Sequence, residues 1–224
     1  MKYYRYVVLF LLLLSPLSVE AGSSIYGPTG LLQMPTAEAL QYKQFSVAGD
    51  YLFNSTSSDS LKDQFFYKVN LGTFKGWEVG VVGGTVPTEG VFVNAKYFLM
   101  SDAQRFPLSI ALGFTNLGSS RDSGVYLVAS QRFQGGIAGH FGFRASFKPA
   151  GLSSNIMAGA EYYWVDNLSI LVETVGDDSK YPINAAARFY LNSELQFRVG
   201  ILDIGNIRKN GTFIVAGLDF ARFL

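Results

Sequence analysis

The feature that most constrains this chain is an alternation of apolar and polar residues that recurs in segment after segment beyond residue 43. In the segment 64–73, aromatic and aliphatic residues occupy every second position, and Lys68, Asn70 and Gly72 stand between them. Successive side chains of a β-strand point to opposite faces of the sheet, so this period predicts strands with one fully apolar face. We find no convincing helical period over the same region.

Twelve segments carry this pattern, and most of them are nine to eleven residues long. Strands of soluble proteins usually have about five or six residues, whereas a tilted strand needs about nine to eleven residues to cross a bilayer. The lengths therefore favour membrane-spanning strands. The predicted strands are 44–54, 64–73, 77–85, 91–100, 108–116, 124–133, 137–147, 155–164, 168–175, 183–191, 194–203 and 212–224.

The connections between these strands alternate in length. Short turns at one end and longer loops at the other are typical of outer-membrane barrels, whose short turns are periplasmic. We therefore predict an all-β fold, a membrane-spanning antiparallel up-and-down β-barrel of about 12 strands over residues 44–224. The short turns are 74–76, 134–136, 165–167 and 192–193, with a somewhat longer one at 101–106, and the loops are 55–63, 86–90, 117–123, 148–154, 176–180 and 204–210.

A soluble β-sandwich is the alternative fold, because its strands also alternate, with the apolar face turned inward. Two features favour the barrel: nearly every predicted strand has a full-length apolar face, and the opposite face carries small residues, amides and single charges. Composition agrees, since 49 % of the residues are hydrophobic and only 16 % are charged. The 15 % aromatic content excludes a disordered chain, and the lack of cysteine excludes a disulfide scaffold.

The first twenty-one residues have the layout of a secretory signal peptide, although an uncleaved anchor helix is an alternative. Lys2 and Arg5 give a positive start, and residues 7–14 form an apolar stretch too short to span a bilayer. We predict cleavage after Ala21, which leaves residues 22–43 as an N-terminal periplasmic segment before the barrel. The remaining chain would carry sixteen basic and sixteen acidic residues, a balance that gives no indication of a nucleic-acid partner.

The same alternation predicts which titratable side chains line the lumen. Lone charges in a low-dielectric interior are costly, so we expect opposite charges on neighbouring strands to pair. The expected pairs are Arg144 with Glu161, Glu173 with Arg188, and Arg198 with Asp219. The full predicted set is Asp50, Lys68, Glu78, Lys96, Arg132, His140, Arg144, Glu161, Glu173, Arg188, Arg198 and Asp219.

The expected lumen is narrow or occluded. Eight-stranded barrels are filled by side chains and barrels of sixteen strands hold aqueous channels, so twelve strands lie between these cases. The ion pairs are compatible with a polar channel and with a filled barrel. Five aromatic side chains are predicted to point inward and would narrow the lumen further: Phe66, Phe92, Phe98, Tyr163 and Tyr190.

The single histidine, His140, is the one candidate for catalysis. Some outer-membrane barrel enzymes hydrolyse lipids with a serine and a histidine, which must lie within hydrogen-bond reach of each other and open to lipid. His140 is predicted inward, near Ser130 and Ser146, with no outward serine beside it. We therefore predict no catalytic residues. No metal, phosphate or nucleotide motif is present, so no cofactor is predicted either.

The stretch before the first strand contains the most specific motif of the chain. Residues 27–37 read GPTGLLQMPTA, in which Gly30 and Pro35 bracket a short apolar run, a pattern typical of a structured turn with a small hydrophobic anchor. The motif, G-x-x-G-L-L-x-M-P-T-A, resembles the start of YjbH-like proteins, outer-membrane β-barrel proteins associated with exopolysaccharide production. The residues that carry the resemblance are Gly27, Gly30, Leu31, Leu32, Met34, Pro35, Thr36 and Ala37.

The last residues of the chain, DFARFL, resemble the C-terminal signal that the barrel-assembly machinery reads in outer-membrane proteins. Leu224 is predicted outward with Phe220 on the same face. Phe223 is penultimate, whereas the usual signal ends in an aromatic residue. The resemblance implies assembly through the last strand.

These features together predict a protein of the bacterial outer membrane, surrounded by outer-membrane lipid. The YjbH-like resemblance implies a non-enzymatic protein that assists exopolysaccharide export or envelope organisation, with polysaccharide export components and the barrel-assembly machinery as partners. Two alternatives stand beside this prediction. One is a narrow porin or channel for small solutes, and the other is a lipid-modifying enzyme that uses His140.

Overall fold

Twelve β-strands close into one barrel in the structure, a computed structural model that describes residues 22–55, 62–85, 90–102, 106–119, 123–176, 179–209 and 211–224. The predicted signal peptide, residues 1–21, lies outside the described residues. The strands are β1 (Gln44–Asn54), β2 (Gln64–Phe74), β3 (Trp77–Gly84), β4 (Phe92–Asp102), β5 (Phe106–Leu117), β6 (Ser123–Phe133), β7 (Ile137–Lys148), β8 (Gly151–Val165), β9 (Leu168–Val175), β10 (Ile183–Tyr190), β11 (Leu195–Ile204) and β12 (Phe213–Phe223).

Each strand pairs antiparallel with its neighbours in the sequence, and β1 pairs with β12 to close the sheet. The closing pairs run from Gln44 opposite Phe223 to Asn54 opposite Phe213. Closure leaves no unpaired sheet edge, which satisfies the backbone hydrogen bonds of a barrel in lipid. The predicted fold class is confirmed. Within the described residues, no helix has the length and hydropathy needed to cross a membrane.

The largest difference from the predicted strands lies between β7 and β8. The sequence predicted a loop at 148–154, but the two strands stay paired to Lys148 opposite Gly151, around a turn at residues 149–150. Ser146 and Ser153 pair there, beyond the apolar part of the strands. Backbone hydrogen bonds hold these residues together, and an apolar period cannot detect pairing that rests on the backbone alone.

The two faces of the wall separate as the alternation predicts. On β2, Val69 is 43 % exposed and the adjacent Asn70 is 1 % exposed, so consecutive residues face lipid and lumen. The outward apolar positions of all the strands together form a continuous band, as a membrane barrel requires. Representative members of this band are Val47, Tyr67, Val93, Leu127, Phe141, Ile156, Val172, Val199 and Leu218.

The N-terminal segment lies inside the barrel, and our prediction of a periplasmic segment ahead of it is wrong in this respect. Residues 22–40, which we call the plug, are mostly buried, and Ile25, Leu32 and Met34 have no exposed surface. Residues 41–43 are exposed and lead into β1 at the short-turn end. Inward polar groups of a twelve-stranded wall need partners, and the plug backbone supplies them.

The plug folds into a compact double turn. The Ile25 backbone N–H donates to the carbonyl of Leu32 at 2.7 Å, and the Leu31 N–H donates to the carbonyl of Met34 at 2.9 Å. A Cβ on Gly30 would lie 2.3 Å from the Met34 carbonyl oxygen, so this close approach requires glycine. The motif identified in the sequence, residues 27–37, therefore supplies most of this double turn, together with Ile25 and the residues before it.

Apolar side chains anchor the plug between the walls of the barrel. Ile25, Leu31 and Leu32 pack with inward residues that include Phe66 and Leu171. A second cluster, on the β5 to β9 side, joins the plug to the wall through Met34, Ala37, Ala111, Tyr126, Val128, Met157 and Val175. Burial of each such aliphatic side chain contributes about 1.5–3 kcal/mol, so the plug is a stable part of the fold.

Candidate functional site in the barrel lumen

Asp50 is the centre of the first charged cluster of the lumen. It accepts a bidentate pair from Arg198, with Nε to Oδ1 at 2.7 Å and Nη2 to Oδ2 at 2.6 Å, and it also contacts Lys68. Both cations continue to the plug: Lys68 donates to the carbonyl of Ser24 at 2.6 Å, and Arg198 donates to the carbonyl of Ser23. Asp219 completes the cluster, since its Oδ2 accepts the Ser23 N–H at 2.6 Å. A fully buried ion triad thus holds the start of the plug.

Glu78 and Lys96 form the second cluster, on the paired strands β3 and β4, with 3.3 Å between Nζ and Oε2. Glu78 accepts the backbone N–H of Thr29 at 2.7 Å and that of Leu40 at 3.1 Å. Lys96 donates to the carbonyls of Thr29, at 3.0 Å, and Glu38. The pair therefore holds the plug at Thr29 and at its end, residues 38–40.

Glu161 and Arg188 form the third cluster, with Arg188 Nη1 3.2 Å from Glu161 Oε1. Arg188 Nη2 donates to the carbonyl of Gly30 at 2.9 Å, while Glu161 accepts the hydroxyl of Ser169 at 2.5 Å and that of Tyr163 at 3.0 Å. The carboxylate is therefore satisfied by the wall, and the guanidinium reaches the plug.

Glu173 binds the plug through three successive backbone N–H groups. Leu32, Gln33 and Met34 donate to its carboxylate at 3.1, 2.7 and 3.0 Å, and Asn184 Nδ2 donates at 3.0 Å. Successive N–H groups that converge in this way form an anion-binding nest. Glu173 is buried in this nest, where three plug N–H groups and the amide of Asn184 in the wall bind its carboxylate.

The charge pairs predicted from strand order are wrong, although ten of the twelve side chains are buried. Arg144 lies opposite Asn155, and Glu173 lies opposite Asn184. The observed pairs Glu161–Arg188 and Asp50–Arg198 each skip one strand. Alternation determines the face of a residue but not its height in the barrel, and long inward side chains converge across an intervening strand.

His140 lies in the lumen against the plug. Its Nδ1 is 2.8 Å from Ser130 Oγ, and this hydroxyl also accepts the backbone N–H of Ala37 at 2.9 Å. Both side chains are buried, at 6 % and 5 % exposure. The pair is turned away from lipid and is engaged in positioning the end of the plug. Within the described residues, no group of three or more acidic or histidine side chains is arranged to hold a metal ion.

Arg132 and Arg144 lie at opposite ends of the lumen. Arg132 is more than half exposed at the short-turn end, where its Nη2 is 2.5 Å from Glu38 Oε1 of the plug. Arg144 lines a cavity at the long-loop end. These two residues therefore lie outside the buried clusters that hold the centre of the plug.

Several functional groups were missed because the sequence indicated only that they face inward. Asn70 donates to the carbonyl of Gly27 at 2.7 Å, and Asn94 donates to that of Tyr26 at 3.0 Å. The alternation did place Asn70 and Gly80 on inward positions. In the structure the two are in contact, since a Cβ on Gly80 would lie 1.9 Å from Asn70 Oδ1. The inward Gly80 leaves the room that the Asn70 amide occupies beside the plug.

Comparison with known proteins identifies the fold. No family model matches the chain, and no curated protein matches it. Among solved structures, the KdgM porin is 14 % identical with a TM-score of 0.58 over 78 % of this chain and 98 % of its own. The NanC porin is 16 % identical, TM-score 0.52, over 80 % and 99 %. The outer membrane protein Omp33 of Acinetobacter baumannii is 10 % identical, TM-score 0.52, over 82 % and 99 %. The shared fold is that of outer-membrane β-barrels.

Proposed function

We propose that this chain is an outer-membrane channel for small solutes and that the plug closes it at rest, with the short turns on the periplasmic side. The observation that carries the proposal is the composition of the lumen. Its wall carries buried ion pairs and amides beside inward apolar residues, and a separate segment of chain, the plug, fills the space between them. The plug is held in part by hydrogen bonds to wall side chains, and a segment held in this way can exchange those contacts for water when it moves.

The likeness to the KdgM and NanC porins supports a channel over our main prediction of a polysaccharide-associated protein. Their barrels resemble this one over almost their whole length. At 14 % and 16 % identity the likeness concerns the fold, and it carries no substrate across.

A non-enzymatic role is part of the proposal. Ser130, the hydroxyl beside His140, accepts a hydrogen bond from the plug, and neither side chain reaches the lipid face. We expect His140→Ala to leave phospholipid composition unchanged and the purified protein to hydrolyse no phospholipid. Phospholipase activity that disappears in His140→Ala would overturn this part of the proposal.

Conductance in planar bilayers tests the channel. Arg188→Gln removes the guanidinium that holds the Gly30 carbonyl, and we expect it to raise the frequency of open events well above that of the unsubstituted chain. Arg222→Gln is the matched control, because it removes one positive charge from an exposed pair with Glu194. A silent Arg188→Gln barrel that is nevertheless folded would refute the channel.

A reversible tether separates plug movement from other effects of substitution. The chain contains no cysteine, so Ala37→Cys combined with Ser130→Cys introduces a single thiol pair where the plug meets the wall. Added to Arg188→Gln, the oxidised tether should abolish the open events and reduction should restore them. Conductance that is the same whether the introduced cysteines are oxidised or reduced would show that solutes pass without plug movement.

Assistance in polysaccharide export is the second candidate function, and one observation favours it. The residues that resemble YjbH-like proteins, from Gly27 to Ala37, lie within the plug, so the resemblance falls on the element that fills the lumen. Gly30→Ala in the producing cell should then reduce secreted polysaccharide. Secretion that is unchanged would leave the solute channel as the function.

A further inference from the structure

A polar cavity of about 250 Å³ lies at the long-loop end, directly above the plug. Tyr26 and Gln33 of the plug form its floor, and Asn155 of β8 and Arg208 of the β11–β12 loop contribute to its walls. Pockets for drug-sized ligands usually measure about 300–1,000 Å³. This cavity therefore suits a ligand of the size of a single small solute.

Arg208 lines this cavity, and one of its guanidinium N–H groups has no hydrogen-bond partner among the described residues. Its Nη2 donates to the carbonyl of Val175 at 3.0 Å, while its Nε is buried and has no hydrogen-bond partner among the residues that the structure describes. Asp203 holds the loop in place by accepting the backbone N–H groups of Ile207 and Arg208 at 2.7 and 2.9 Å. A buried donor without a partner is costly, so a ligand acceptor that meets this N–H when the guanidinium turns towards the cavity would be stabilised.

The remaining lining is cationic or neutral. Arg144 and Lys148 line the cavity and have interactions of their own, and Ser146 offers a hydroxyl beside the amides of Asn155 and Gln33. Among the residues that the structure describes, none that lines the cavity carries a carboxylate. Guanidinium groups bind carboxylate and phosphate through charge-assisted hydrogen bonds, and amides and hydroxyls suit the hydroxyl groups of a solute.

We propose that this cavity binds a small hydroxylated solute that carries a carboxylate or a phosphate. As a transport substrate such a solute depends on the proposed channel function, but binding itself does not. The structure supports a link to the plug, because the floor of the cavity consists of plug residues. A bound solute would contact Tyr26 and Gln33, and the occupied cavity would bias the position of the plug.

A second, enclosed cavity of about 10 Å³ shares Tyr26, Gln33 and Arg144 with the first. A space of this size holds about one water molecule. Thr115 and Tyr126 line it, and their hydroxyl groups lack hydrogen-bond partners within the described part of the chain, as does that of Ser24. Polar groups without partners therefore extend from the binding cavity to the boundary between the plug and strands β5 and β6.

Calorimetric titration of the full, detergent-solubilised protein tests the site without requiring conduction. The probes are glucuronate, glucose 6-phosphate and glucose, which share a pyranose ring and differ in charge. We expect saturable binding of at least one of the two anions and binding of glucose that is weaker by about tenfold or more. The two anionic probes distinguish a carboxylate ligand from a phosphate ligand.

The variants are Arg208→Gln, Arg208→Lys and the remote charge control Arg222→Gln. Affinity for the anion should fall about tenfold or more in Arg208→Gln, recover in part in Arg208→Lys and stay unchanged in Arg222→Gln. Equal binding of glucose and the anions, absence of any binding, or indifference to Arg208→Gln would overturn the site. If the protein binds the anion but the Arg188→Gln variant never conducts, the channel would be refuted and the binding site would be retained.

Discussion

Single lumen residues act as anchors for another part of the chain more than as partners for one another. Glu173 shows this best, because its carboxylate accepts three N–H groups of the plug and one amide, with no cation beside it in the contacts described above. A buried ion is stable only while its hydrogen bonds persist. The stability of the buried Glu173 carboxylate therefore depends on the position of the plug, and the position of the plug depends on Glu173.

Glu173→Gln tests this coupling. The substituted amide keeps one acceptor oxygen but turns donors towards the N–H groups of Leu32 to Met34, so we expect the plug to be destabilised by about 2–4 kcal/mol. Limited proteolysis of the folded barrel should then cleave within residues 22–40, a region that the unsubstituted protein protects. Glu194→Gln, at the exposed short-turn end, is the control and should change nothing. Equal protection in both variants would contradict an anchoring role for Glu173.

The lipid face can be tested on one strand at two depths. Val69→Arg places a charge at the middle of β2, which should cost about 2–4 kcal/mol, whereas Phe74→Arg at the strand end should cost about 0–1 kcal/mol. Denaturant titration of the protein folded into vesicles gives both values. Equal costs would contradict the position of the membrane band. A substitution at Asn70, the inward neighbour of Val69, does not serve as a control here, because it would remove the hydrogen bond that the Asn70 amide donates to the plug.

At the scale of elements, the plug has hydrogen bonds within itself, and the barrel wall supplies the surface against which its side chains pack. Its turn depends on the close approach at Gly30, and wall glycines make space for its side chains: a Cβ on Gly159 would lie 2.4 Å from Leu31 Cδ1. Wall and plug are therefore complementary in volume as well as in charge.

Gly30→Ala should disturb the plug and leave the barrel intact. The added methyl group would meet the Met34 carbonyl at 2.3 Å, and we expect a cost of about 1–3 kcal/mol. Gly49→Ala is the matched control, because a Cβ there meets nothing closer than 3.6 Å. Proteolytic release of the plug in Gly30→Ala alone, with heat-modifiable gel migration kept in both variants, is the expected result. If unheated Gly30→Ala no longer migrates on the gel as a compact, folded barrel, the barrel needs the plug to fold.

At the scale of the whole molecule, stability depends on closure between the first and last strands. The seam of β1 and β12 is also where Asp50 meets Arg198, with Gly217 beside them. Contacts so distant in sequence carry a high entropic cost of loop closure. The ion triad therefore holds the seam and the start of the plug together.

Gly217→Ala should weaken the closed barrel. Its methyl group would lie 2.0 Å from Asp50 Oδ1 and 2.8 Å from Arg198 Nε, and disruption of this buried pair should cost about 3 kcal/mol. The temperature at which the compact gel band disappears should fall, while Ala216→Val, on the lipid side of the same strand, should leave it nearly unchanged. An unaltered transition in Gly217→Ala would show that the triad contributes nothing to closure.

Much of the architecture was predictable because its cause is local. Alternation in β1 and β9 located both strands to the residue, since the lipid face forces every second side chain to be apolar. It also placed Asp50, Lys68 and Glu161 on the inner face. It could not pair them, because pairing depends on the register and tilt of strands that are not adjacent.

The sequence by itself determined the barrel, its strand number and the face of each wall residue, because contact with lipid imposes a pattern that each strand carries alone. Only the tertiary structure decided that residues 22–40 occupy the lumen and that the inward charges bind its backbone. Every residue has a backbone carbonyl, and every residue except proline has a backbone N–H, so no side-chain pattern reveals which of these groups a buried charge will bind. That choice depends on the space which the closed wall leaves along its axis.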